Sequence, residues 1–131
     1  MAAVVLTSVT AAACSDNSGS AEALCTAVRA DRSTATVFNG FDPTNRDAAL
    51  VQLREARVTL GELRDAAPGE VRDDLDVEID YVQALIDQLE ALDPGADPAQ
   101  AAEVVRQVTE EHPDVDDAAA ALVAFSAENC S

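Results

Sequence analysis

Apolar positions recur every three or four residues from about residue 21 to the end of the chain, and turn-forming residues cut that helical period into five segments. The first, residues 21–38, sets Leu24, Val28, Ala35 and Phe38 roughly on one side. Asn39-Gly40 should stop it, because both residues tolerate the left-handed conformation. A second helix is expected from Asp42-Pro43, with Asp42 as N-cap and Pro43 in the first turn; Thr44 with Asp47 is a weaker competing cap. Its stripe is Leu50, Leu53, Leu60 and Leu63, with Ala49, Ala56 and Ala67 beside it and Arg54, Arg57 and Arg64 off it. Gly61 weakens this helix by about 1 kcal/mol relative to Ala unless a neighbour needs the space.

Pro68-Gly69 begins the third segment, residues 68–92, which has the cleanest pattern. Leu75, Ile79, Val82, Ile86 and Leu89 form one seam, widened by Val71, Leu85 and Leu92, so this helix is expected at the centre. Glu70, Asp73 and Asp74 suit the positive end of its dipole. Asp97-Pro98 repeats the cap-plus-proline pattern and opens a fourth helix to about Glu111, burying Ala101, Val104, Val105 and Val108. The fifth, residues 113–129, should bury Val115, Ala119, Leu122 and Phe125. Short connections imply antiparallel neighbours. The expected fold is therefore all-α: a single antiparallel bundle of four to five helices over residues 21–131. Abundant alanine, with aromatics at 3%, favours closely packed helices over a sheet.

Ahead of the bundle the pattern changes. Residues 4–13 are apolar or small, too short a run to span a bilayer, and Ala11-Ala12-Ala13 leads directly into Cys14. This stretch resembles the lipobox of bacterial lipoproteins, and the acidic Ala/Asp-rich remainder resembles small actinobacterial members of that class. The resemblance implies cleavage after Ala13, a diacylglyceryl group on the Cys14 sulfur and residues 14–20 as a solvated tether. Two acyl chains suffice for stable anchoring. Ala11 stands where the family usually has Leu, and no Lys or Arg precedes Arg29. The expectation is that the true start, with a basic n-region, lies upstream of Met1. The rival reading is an Ala-rich tail with an incidental cysteine.

With Cys14 lipidated, Cys25 and Cys130 remain, and an exported protein sits where disulfides persist. A bridge between them would close a loop of roughly 100 residues and stabilise by about 4–5 kcal/mol on the chain-entropy model. Two buried thiols are the rival. The formal net charge of −17 repels phosphate backbones, so nucleic acid is not an expected partner.

Candidate chemistry is sparse. Asp73, Asp76 and Asp80 share one helix face, with Asp74 and Glu78 on another. They are the candidates for a divalent cation, although calcium needs six to eight converging oxygens and a straight helix spreads its carboxylates. A solvated face is the plainer reading. His112, the sole histidine, sits at a helix junction where it can cap, and haem ligation by it lacks an attachment motif. No nucleophile elbow, phosphate loop or dinucleotide fingerprint is present. Phe38, Phe41, Tyr81 and Phe125 read as core or its rim. Seven of the eight arginines fall at or before Arg72, which sets up either pairing between neighbouring helices or one basic and one acidic flank. The expected function is a membrane-anchored, extracytoplasmic, non-enzymatic module that binds an envelope protein or ligand without a cofactor. Cation or small-ligand binding by the acidic face of the third helix is the alternative.

Overall fold

The computed structural model describes residues 19–31 and 41–130. Five helices and no strand lie among these residues: α1 (Ala21–Asp31), α2 (Arg46–Ala66), α3 (Gly69–Glu90), α4 (Pro98–Glu111) and α5 (Val115–Asn129). None of the described helices is long and apolar enough to cross a membrane. Cys14, residues 15–18 of the expected tether, Ala35, Phe38 and the Asn39-Gly40 stop lie outside the described residues.

The fold is built on the α2–α3 hairpin. On α2 the fully buried side chains are Ala49, Leu53, Ala56, Leu60 and Leu63, continued by Ala67 past the helix end. They step by four and three, so they hold one seam. On α3 the matching ladder is Val71, Leu75, Glu78, Val82, Leu85 and Leu89. Alanines at no more than 1% exposure let the two backbones approach, while each buried leucine contributes about 1.5–3 kcal/mol. Pro68 ends α2 and caps α3 without a side-chain bond of its own, while Arg72 Nε donates to the Ala67 carbonyl at 3.0 Å. The antiparallel register is fixed at both ends. Arg46 at the start of α2 donates from Nε to the Leu89 carbonyl at 2.8 Å and from Nη2 to the Glu90 carbonyl at 3.3 Å. A cation on the last carbonyls of α3 suits its dipole. Arg54 pairs with Glu90 at 2.6 Å, and Arg64 with Asp76 at 2.6 Å. The early arginines thus answer acids on the next helix. Both of these pairs are half-exposed and each is worth at most about 1 kcal/mol.

The helix α3 is central, packing on α2, α5 and α4, while α1 lies on α2 and touches α5. Cys25 of α1, 3% exposed, is bonded to Cys130 just beyond α5, with their Cα atoms 5.2 Å apart. The bridge joins the first and last helices across 105 residues.

Five expectations are corrected. Asp42 does not cap α2: its Oδ1 accepts from the Thr44 amide at 2.9 Å and the Thr44 hydroxyl at 2.6 Å, closing a local turn. Asn45 is the cap instead, accepting from the Ala48 amide at 3.1 Å. In α5 the buried alanine is Ala118, with Ala119 exposed, and the helix starts at Val115 rather than Pro113. In α4 Val104 and Val105 are only partly buried, leaving Ala101 and Val108 as its core. In α3 the seam takes Glu78, and Ile79 is half-buried beside it. Asp97 does cap α4 as expected, with Gln100 returning a bond to the Asp97 amide in a capping box.

Gly19 and Ser20, the last two residues of the expected tether, are part of the packed domain. Ser20 Oγ accepts from the Ala23 amide at 3.0 Å and so caps α1. Gly19 lies against the end of α2: a Cβ there would sit 2.0 Å from the Ala66 carbonyl oxygen and 2.5 Å from that of Ala67. At Gly61 a Cβ would meet only Arg57 Nη1, at an ordinary 3.5 Å.

Two outcomes follow for stability. In denaturant titration, Gly19→Ala should lose about 1–3 kcal/mol as backbone is forced apart, whereas Gly61→Ala should gain about 0.5–1 kcal/mol. Reducing the Cys25–Cys130 bridge, or Cys130→Ser, should cost about 2–5 kcal/mol in the same assay.

Candidate cleft around Glu78

The 4–3 spacing of the α3 ladder carries Glu78 into the core interface, three residues after Leu75 and four before Val82. It is 7% exposed, the one charged side chain among the buried residues described, and its Oε1 has no hydrogen-bond partner. Burial is the main cause, and the Asp116 carboxylate on α5 the second, that push its carboxyl up to about 7.

Glu78 lines a cleft of about 300 Å³ where α3, α4, α5 and the segment before α2 meet. Its polar wall is Glu78, Tyr81, Thr109 and Asp116; Phe41, Leu85, Val105, Val115 and Ala119 supply apolar surface. The Tyr81 and Thr109 hydroxyls are 2.8 Å apart, and Thr109 Oγ1 also reaches the Val105 carbonyl at 2.8 Å. Ala119 is exposed because it faces this opening rather than the core. Next to the cleft, His112 forms the C-cap of α4, its Nδ1 bonded to the Val108 carbonyl at 2.9 Å and its ring edge-on to Tyr81 with centroids 5.8 Å apart. This proton placement makes Nδ1 the donor, since a carbonyl only accepts.

A second cleft, about 410 Å³, opens between α1 and α5 beside the disulfide. Leu24, Val28, Leu75, Leu122 and Phe125 make it apolar, with Ser126 its one hydroxyl. Leu122 is only half-buried for that reason.

The acidic triplet is not drawn together. Asp73 and Asp80 are exposed, and Asp76 is engaged by the Arg64 guanidinium through Nε at 2.6 Å and Nη2 at 3.4 Å. No group of three or more His, Cys, Asp or Glu among the described residues is placed to hold a metal ion. Glu78, assigned from sequence to a surface face with Asp74, belongs to the seam. The signal that marks it is the step Val71, Leu75, 78, Val82, Leu85, Leu89, in which one rung is charged.

The pH dependence of stability follows from Glu78. Its folded value of about 7 exceeds the ordinary 4.5, so the folded chain holds a proton that the unfolded chain has released between those limits. Stability contributed by the neutral carboxyl is present below about 4.5 and lost as pH rises through about 7. Glu78→Gln should therefore equal or exceed the wild-type melting temperature at about pH 8 and lose that advantage near pH 5, checked by melts across the range. No family model, curated protein or solved structure matches this chain.

Proposed function

We propose that the chain is an exported, lipid-tethered helical module that binds a partner or ligand at the cell envelope without catalysing a reaction. The observation that carries this reading is the Cys25–Cys130 bond. A disulfide joining the first and last helices suits an oxidising compartment, since cytosolic reductants keep such thiols reduced. The third cysteine, Cys14, follows three alanines and an apolar run, the setting in which a lipoprotein cysteine is acylated. Residues 15–18 then separate the anchor from Gly19, where the packed domain starts. Two clefts on the bundle offer binding surface, one apolar and one acidic. The net charge of −17 favours basic or cationic partners over anionic ones.

Intact-mass analysis of the chain extracted from membranes of a bacterial host tests the reading. The expected species begins at Cys14, carries a diacylglyceryl group and is two hydrogens lighter than its reduced form. Cys14→Ser should move it from the membrane to the soluble fraction with the Cys25–Cys130 bond intact. A soluble product that keeps Met1 and three free thiols would overturn the proposal.

A further inference from the structure

Among the described residues, the side chains of the Glu78 cleft offer a ligand one kind of polar group. Thr109 has a single hydroxyl proton, and Oγ1 donates it to the Val105 carbonyl at 2.8 Å. Its 2.8 Å contact with Tyr81 is then made with the Tyr81 hydroxyl as donor. That uses the Tyr81 proton and leaves the phenol oxygen with lone pairs. Asp116 and, once ionised, Glu78 are acceptors only. A ligand must therefore bring the donors. It must also bring positive charge, because Glu78 is more than nine-tenths buried, has an unpartnered Oε1 and shares the cleft with a second carboxylate. A cation between the two would offset both the burial of Glu78 and its repulsion from Asp116. The remaining wall is apolar, and the Phe41 and Tyr81 rings suit a cation's approach. At about 300 Å³ the cleft is at the small end for an organic ligand.

We propose that the Glu78 cleft binds a small primary amine, its ammonium held by Glu78, Asp116 and the Tyr81 oxygen and its short hydrocarbon tail lying against Phe41, Val105 and Val115. An ammonium presents three donors to three acceptors. A bare divalent ion would have two carboxylates and one phenol to replace its shell, fewer oxygens than it requires. The neutral, apolar cleft beside the disulfide has no such charge and serves as an internal comparison.

The test is a titration of the full 131-residue chain, carrying Cys14→Ser to keep it free of lipid, with pentylammonium chloride at about pH 8, followed by amide NMR. Saturable shifts at Phe41, Thr109 and Asp116, with a Kd of about 1 mM or tighter, are expected. Glu78→Gln, shown to fold by its melting curve, should bind at least about tenfold more weakly, and Asp116→Asn several-fold more weakly. Asp116 is exposed, so its variant reports even where Glu78→Gln does not fold. 1-Pentanol has the same chain length and no charge, and should bind at least about tenfold more weakly than the ammonium. Equal binding of 1-pentanol, unchanged binding by either carboxylate variant, or no saturable shift would each overturn the proposal. The titration is blind to export and lipidation, so its failure leaves the envelope reading intact, and failure of that reading leaves the cleft chemistry intact.

Discussion

The contact between α2 and α3 is the constraint from which the other placements follow. The break at Ala67-Pro68 leaves no slack, so the two helices must return antiparallel, and both ladders must meet face to face. Alanine at the Ala49, Ala56 and Ala67 rungs brings the backbones close enough for the leucines of both helices to interlock. Once α3 is seated in this way, its remaining faces decide where α4 and α5 can lie. The position of Glu78 is a by-product of the same register. Moving it out would require rotating α3 and expelling Leu75 and Leu85, each 1% exposed, from the seam.

That conflict explains why the fold was legible and the cleft was not. Leucine at four-three spacing and Asp-Pro at Asp97 carry their own phase and boundary, so the element order and the central helix follow from residues alone, whereas the disulfide partners follow only once Cys14 is set aside as lipidated. Glu78 carries the opposite message. A carboxylate beside Asp76 and Asp80 reads as surface, and only the arrival of Val115 and Asp116 on a helix about forty residues later removes its water. A shorter separation, 12 residues, hides the partner of Asp76 in the same way. Its partner, Arg64, lies across the hairpin, and no local spacing announces the pair.

Smaller discrepancies have local causes. Residues 118–121 are all alanine, and identical side chains carry no information about helix phase, so Ala118 and Ala119 were interchangeable until α3 selected one. At Asp42 two hydrogen-bonding schemes compete. The carboxylate closes a turn on Thr44 with both amide and hydroxyl, which holds it below the usual carboxylate range through the hydroxyl bond first and the amide second. With Asp42 occupied, the next Asn takes the cap. Both schemes obey the same preference for satisfying backbone donors locally.

The pressing of Gly19 onto the α2 terminus would govern how far the bundle can stray from the lipid anchor proposed at Cys14. Five residue steps, fully extended, reach about 17 Å, less than the length of α2 itself. On such a short leash the end bearing Gly19, Ala66 and Gly69 would stay nearest the bilayer, and the end bearing Arg46, Glu90 and Asp97 would point outward. Glu70, Asp73 and Asp74 at the lower end would then face any anionic headgroups and be repelled, which would prop the molecule upright. Glu78 would then open sideways, roughly midway up the standing bundle, at a height set by helix rise and not by lipid.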